Sequence, residues 1–257
     1  MSALPAPAAV TRATLLLLAG AAPVSAIAVH VAGWMPMARS APYVVGPLAL
    51  VVVVLVLRGS LEARWAVQGA LAGLVAVAAY DAVRIPLVVL NIWPDFIPRI
   101  GGWVTGTGGD DLLLGYAWRY VGDGAGIGLA YFTFCAVVLQ VRPALVRSRP
   151  VALSVAYGVF VWSGLVATVV LPPHGQTLLF RLTPASFGLS LLGHLIYGSV
   201  LGLGLRRTLR RLPAADSGTR VHEQGVAAAG LTVVGTARAA APSSFGALLG
   251  DAQVSQR

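Results

Sequence analysis

The sequence predicts an all-α, polytopic membrane protein: a bundle of six transmembrane helices with a disordered C-terminal tail. Hydrophobic residues make up 57% of the 257-residue chain and charged residues 11%, against about 45–50% and about 25% in soluble domains. Mean hydropathy is +0.81. Six apolar stretches are separated by turn-like or polar segments, and most approach the ~20 residues that cross a bilayer as a helix.

The first three predicted spans cover residues 14–33, 43–57 and 65–90, after an N-terminal cytoplasmic segment of residues 1–13. The first span has an alternative interpretation as a signal peptide, because a basic residue precedes an apolar run containing Ala-Pro-Val-Ser-Ala. The run continues towards Trp34, beyond the ~7–15 residues of a signal core, which favours a retained helix. In the third span, Gly69 and Gly73 have the spacing of small residues that allow close helix packing.

Residues 91–116 form the longest polar interruption and are predicted to be a loop, flexible at its glycine-rich part. The last three spans cover residues 117–141, 151–171 and 184–205. Alternate glycines from Gly122 to Gly128 indicate close helix packing rather than a nucleotide-binding loop. Residues 212–257 are rich in Ala, Gly and Ser without sustained periodicity, which predicts a disordered cytoplasmic tail.

The arginines predict the sidedness of the bundle. All eighteen basic residues are arginine. With a cytoplasmic N-terminus, the short inside segments carry ten arginines and the outside loops carry three: Arg39, Arg99 and Arg181. The positive-inside rule then predicts a cell (inner or plasma) membrane protein with both termini in the cytoplasm. The arginines are distributed in short clusters beside the apolar spans and form no single basic face. This distribution also argues against nucleic-acid binding, despite the net charge of +9.

Polar residues inside the predicted spans converge on one depth. At ~1.5 Å per residue, the innermost of them lie roughly 9–15 Å below the outer ends of their helices. An ionisable group at that depth costs at least ~2.5–3.5 kcal/mol and is a functional candidate. The candidate polar layer comprises Asp81, Arg84, Arg119, Asp123, Ser190, His194 and Tyr197. The external loop, with Asp95, Arg99, Asp110 and Asp111, is expected to lie over it.

Two interpretations of this layer stay open. In the first, it lines a water-accessible or ligand cavity, with Asp81 or Asp123 as proton carrier and His194 as titrating partner. In the second, the same residues are structural. Asp81 then pairs with Arg84 on one helical face, Arg119 pairs with Asp123, and His194 bonds a carbonyl group.

Sequence motifs exclude several common activities. The single cysteine, Cys135, rules out an intramolecular disulfide and a cysteine zinc cluster. No P-loop, G-x-S-x-G or HExxH motif occurs. Asp110-Asp111 has no second acidic motif or histidine nearby in the chain and is interpreted as part of a solvated loop. We therefore predict neither a metal site nor a cofactor.

Three motifs carry a family resemblance: Tyr80-Asp81-x-x-Arg84-x-Pro86, Tyr120-x-Gly122-Asp123-Gly124 and His194-x-x-Tyr197-Gly198. With these, residues 65–205 resemble small bacterial multi-pass inner-membrane proteins of unknown function. Members typically show a Tyr-Asp-x-x-Arg helix and later helices with His-x-x-x-Gly and His-x-x-Tyr-Gly. The resemblance implies the topology and the polar layer only. Arg119-Tyr120 stands where it leads us to expect a histidine, which counts against a multi-histidine metal site.

Three functions follow as hypotheses. The protein binds or conducts a small solute or protons through the polar layer, or it is a membrane-embedded enzyme acting on a lipid or isoprenoid by acid catalysis, or it is a structural subunit. A continuous polar path favours transport, a dead-end apolar pocket favours the enzyme, and sealed ion pairs favour the structural role. The expected partners are the lipid bilayer and a small-molecule or lipid ligand. The oligomeric state is not determined.

Overall fold

The computed structural model describes residues 6–211, which form six long and three short helices and contain no β-strand. Each long helix is long and apolar enough to cross a membrane. The predicted all-α bundle of six spans, and with it a multi-pass membrane protein, is therefore confirmed. The long helices are α1 (Pro7–Val31), α2 (Met37–Leu57), α3 (Leu61–Val89), α5 (Leu112–Val141), α7 (Pro150–Val170) and α9 (Pro184–Arg211). The short ones are α4 (Ile97–Thr105), α6 (Pro143–Ser148) and α8 (Gly175–Leu178).

Several helices extend beyond the predicted spans. Helix α1 begins inside the predicted N-terminal segment, and α9 continues past residue 205. The prediction of a loop over residues 91–116 is partly wrong, because this stretch contains α4 and the first turn of α5. Asp111 starts α5 as its N-cap, accepting a hydrogen bond from the Leu114 amide at 2.9 Å. The predicted tail, residues 212–257, lies outside the described residues.

Glycines bring α5 into direct backbone contact with its neighbours. A Cβ atom on Gly73 of α3 would collide with the Gly124 carbonyl of α5, and one on Gly69 would collide with the Gly128 carbonyl. In the same way, a Cβ atom on Gly20 of α1 would lie only 2.5 Å from the Gly126 carbonyl oxygen. The packing interpretation of both glycine series is thus confirmed, and α5 lies between α1 and α3.

The two ends of the bundle differ in character. At the arginine end, where α1, α3, α7 begin and α2, α5, α9 finish, the Arg12 guanidinium binds both Glu62 carboxylate oxygens at 3.2 Å and ties α1 to α3. The loop end carries residues 90–111 and 171–183, including α4 and α8. Between them, α7 packs along α9 and touches α1 at only a few positions. This uneven packing leaves a space between α1 and α7.

Candidate functional site

A cavity of about 650 Å³ occupies the loop-end half of the bundle, enclosed by α1, α3, α5, α7 and α9. Cavities of roughly 300–1,000 Å³ are typical of small-molecule sites. Most of its lining is apolar, and Arg84, Arg119, Asp123, His194 and Tyr197 bring polar atoms to it. The cavity is therefore an apolar pocket that contains a cluster of polar groups.

Arg119 and Asp81 form a buried ion pair across the α3–α5 interface. The Arg119 Nε atom lies 2.9 Å from both Asp81 carboxylate oxygens, and an Nη atom of the same guanidinium also donates to that carboxylate. Asp81 is 1% exposed and Arg119 is 9% exposed. The Arg119 guanidinium carbon also lies 4.8 Å from the centre of the Tyr80 ring. The expected pairing of Asp81 with Arg84 is therefore wrong.

Arg84 instead binds the segment that covers the cavity. One of its terminal nitrogens donates to Asp95 at 2.7 Å, and the other donates to the Tyr116 hydroxyl at 3.2 Å. Tyr116 in turn donates to the second Asp95 oxygen at 3.2 Å. The first Asp95 oxygen also accepts from the Ile97 amide at the start of α4. Arg84 of α3 thus holds the loop that contains Asp95 over the cavity.

Arg119 and Asp123 lie on one π-helical segment of α5 but do not pair with each other. Trp118–Ala125 is π-helical, with i→i+5 hydrogen bonds and a wider turn than an α-helix, which changes the direction of successive side chains. Arg119 points to Asp81, while Asp123 lines the cavity. The expected Arg119–Asp123 pair is wrong, because the Arg119 guanidinium binds Asp81 instead.

Two residues of the cavity lining, Trp93 and Asp123, have a buried polar atom without a hydrogen-bond partner among residues 6–211, and Asp123 is the charged one. Its Oδ1 atom is buried and has no hydrogen-bond partner among residues 6–211. Tyr197, one of its neighbours in the lining, donates its hydroxyl proton to the Gly124 carbonyl at 2.8 Å instead. A buried polar atom without a partner is rare in proteins and needs an explanation, such as a ligand group that completes its hydrogen bonds.

His194 lines the same cavity. Its Nδ1 atom lies 2.8 Å from the Ser190 carbonyl oxygen, and a carbonyl only accepts, so Nδ1 carries the proton. In the neutral ring, Nε2 is then an acceptor. The ring packs edge-on to Tyr80 with centroids 5.6 Å apart. The expected carbonyl bond of His194 is present, and the histidine also lines the cavity.

The other predicted residues lie away from the cavity. Ser190 accepts from the Trp162 indole at 3.0 Å and donates to the Phe187 carbonyl. Arg99 donates to the Thr177 and Leu178 carbonyls and holds α8. Asp111 caps α5, and Asp110 is exposed. Of the four external-loop residues, Asp95 alone reaches a polar residue of the cavity, through Arg84.

Aromatic side chains that the sequence did not single out form much of the wall. Trp93 and Phe96 cover the cavity from the loop, Phe180 covers it from the α8 connection, and Tyr157 and Phe160 face it from α7. Tyr157 and Phe160 are three residues apart, a spacing that puts both on one helical face. That spacing was a usable signal for the α7 wall. Trp93 and Phe180 had none, because their positions depend on loops.

The cavity is closed at both ends and open at one side. Towards the arginine end, Tyr131, Phe132 and Leu201 are 0–1% exposed and fill the core. Towards the loop end, buried Trp93, Ile97 and Phe180 cover it. The lining residues that are also exposed lie on α1 and α7: Ser25, Phe160, Ser163 and Gly164. The opening is therefore lateral, between two membrane-spanning helices.

Among residues 6–211, no three His, Cys, Asp or Glu side chains are grouped as metal ligands. Comparison with protein-family models, curated proteins and solved structures finds no match.

Proposed function

We propose that this multi-pass membrane protein binds a small lipid-like or isoprenoid molecule that carries one polar group. The single observation that carries the proposal is the side opening between α1 and α7, where Phe160 is 71% exposed and also lines the cavity. An opening on the side of a transmembrane bundle faces acyl chains, so an apolar ligand can enter from the bilayer without crossing water.

The polar groups define the head of the ligand. Trp93 Nε1 is a buried donor without a partner in the described chain, whereas Asp123 Oδ1 and, in the neutral ring, His194 Nε2 are acceptors without one. A ligand hydroxyl or amine supplies the donor that they lack. The apolar wall from α1 and α7 suits a hydrocarbon chain. An isoprenoid or long-chain alcohol combines both features.

The same packing supports binding over conduction. A path for protons or a solute needs polar groups or water from one end of the bundle to the other. Below the cavity, the fully packed Tyr131, Phe132 and Leu201 offer no such path. The unpartnered Asp123 oxygen also speaks against a purely structural subunit, in which the polar groups would be sealed in pairs.

Acid catalysis on the bound ligand is the second candidate, supported by Asp123 itself. A protonated carboxyl in an apolar cavity can transfer its proton to an alkene or epoxide of the ligand, and Asp123 lies one π-helical turn from the already paired Arg119. Asp123→Asn then abolishes conversion of an isoprenoid epoxide, followed by mass spectrometry, while farnesol still binds. Conversion of the epoxide by Asp123→Asn at the wild-type rate would contradict the catalytic role.

Blocking the opening tests the binding proposal. Gly164 lies at the opening, and a Cβ atom there meets nothing within 4 Å, so Gly164→Trp adds an indole beside the entrance without a clash at its Cβ atom. We expect its affinity for farnesol, a single-chain isoprenoid alcohol, to fall at least about tenfold in native mass spectrometry.

Gly188→Trp is the matched control. Gly188 also has open space around its Cβ position, but it lies on α9 outside the cavity lining. It should bind farnesol like the wild type. Equal binding by both variants, or no farnesol binding by the wild type, would contradict entry through the α1–α7 opening.

A further inference from the structure

A second pocket, of about 500 Å³, lies at the arginine end of the bundle, far from the ligand cavity. Four arginines line it: Arg147, Arg149, Arg206 and Arg210. They come from two places in the chain, the α6–α7 junction and the last turns of α9. Four positive charges on one concave surface make the local electrostatic potential strongly positive, and this potential attracts anions.

These arginines have no carboxylate partner within the described chain. The ion pairs among residues 6–211 are Arg12–Glu62, Arg84–Asp95 and Arg119–Asp81. All four guanidinium-bearing residues of the pocket are exposed. Arg206 and Arg210 lie one helical turn apart on the same face of α9, so both reach the same bound group.

The backbone adds to this positive field. The 21-residue helix α7 begins at Pro150, and no side chain caps its N-terminus. Val151 and Ala152, in its first turn, line the pocket. Free amide groups and the helix dipole at such an N-terminus favour an anion, above all a phosphate. The arginines and the N-terminus of α7 therefore favour the same bound anion.

The pocket also offers an apolar side. Leu209 and Val151 lie in its lining beside the arginines, and both belong to membrane-spanning helices. A soluble anion uses only the charged part of such a site. A phospholipid uses both parts, because its phosphate lies at the level of helix ends while its acyl chains run along the helices.

We propose that this pocket binds the phosphate group of an anionic membrane phospholipid. The site is independent of the ligand cavity, so failure of one proposal leaves the other untouched. Arg206 and Arg210 hold the phosphate from α9, and Arg147 and Arg149 hold it from the opposite wall. The bound lipid then links α9 to the α6–α7 junction.

Native mass spectrometry of the full chain with equimolar phosphatidylglycerol and phosphatidylcholine tests this. Wild-type protein should retain phosphatidylglycerol in preference. Arg206→Gln/Arg210→Gln should weaken its binding about thirtyfold, since each arginine near a lipid surface contributes about a factor of five. Arg147→Gln/Arg149→Gln should weaken it comparably from the other wall.

Arg207→Gln/Arg211→Gln is the matched control, with the same helix, spacing and change of charge but outside the pocket lining. It should bind within about threefold of the wild type. If this control loses as much affinity for phosphatidylglycerol, the lipid is attracted by the overall positive charge and does not bind in the pocket. If millimolar inorganic phosphate displaces phosphatidylglycerol, the pocket is a site for a soluble phosphate and the lipid proposal is wrong. Thermal unfolding in the same detergent verifies that each variant is folded.

Discussion

At the scale of single residues, two aspartates at similar depth have opposite environments. Asp81 of α3 accepts three hydrogen-bond contacts from Arg119, whereas Asp123 of α5 has a buried oxygen without a partner in the described chain. The first aspartate therefore stabilises the bundle, and the second is available to a ligand. Under the proposed function, this difference separates a structural role for Asp81 from a ligand-binding role for Asp123.

Asparagine at each position distinguishes these roles. Asp81→Asn leaves the Arg119 charge buried without its counter-ion and should lower the free energy of unfolding by roughly 3–5 kcal/mol. Asp123→Asn removes no ion pair and should change it by less than about 1 kcal/mol. Thermal unfolding in one detergent compares the two. If Asp81→Asn is as stable as Asp123→Asn, the ion pair is not a structural element of the bundle.

At the scale of helices, close glycine packing sets the position of the ion pair. Gly69 and Gly73 of α3 meet Gly128 and Gly124 of α5 with no side chain between them. This approach lets the Arg119 side chain reach α3. Helix α7 has a different arrangement, since it packs on α9 and leaves the opening towards α1. The tight α3–α5 interface thus fixes one wall of the cavity, and the loose α1–α7 interface leaves the cavity open at the side.

Alanine at Gly73 tests the tight interface. Its Cβ atom would overlap the Gly124 carbonyl, so the two helices must separate, and overpacking of this kind costs about 1–3 kcal/mol. Gly188→Ala is the control, because its Cβ position is open and alanine favours a helix by about 1 kcal/mol over glycine. Thermal unfolding should show a loss for the first and no loss for the second. Equal stability of both variants would contradict close α3–α5 contact.

At the scale of the whole molecule, the cavity lies in the loop-end half and the second pocket lies at the arginine end. We propose that the arginine end, where α1 begins and α9 finishes, is cytoplasmic, because the short segments there carry most of the arginines. The ligand cavity then opens into the outer leaflet. In this proposed orientation, the arginine pocket faces the inner leaflet, where anionic lipids attract basic side chains.

Cysteine labelling in intact cells checks this orientation. Cys135 is 0% exposed, so Cys135→Ala gives a background in which single cysteines are introduced. A membrane-impermeant maleimide should label Asp110→Cys, which is exposed at the loop end, and should label Arg58→Cys only after the cells are opened. The reverse pattern would contradict a cytoplasmic N-terminus.

Much of the architecture follows from local sequence. Six apolar stretches were enough to predict six spans, since a bilayer requires long apolar helices whose backbone groups bond internally. Gly69 and Gly73 predicted close packing for the same local reason. Helix α4 and the early start of α5 were missed, because a glycine-rich, polar segment resembles a loop. Ile97 and Ile100, each 1% exposed, become buried only when α4 packs on the bundle.

The sequence alone determined the class of protein, the number of spans and the residues whose charge is unusual at membrane depth. These are properties of composition and of one helix at a time, and they depend on the cost of polar groups in hydrocarbon. Only the tertiary structure decided that Asp81 binds Arg119, that Arg84 binds Asp95 and that Asp123 faces a cavity. Such pairings depend on distances between helices and on the π-helical turn of α5, which no single segment of the chain specifies.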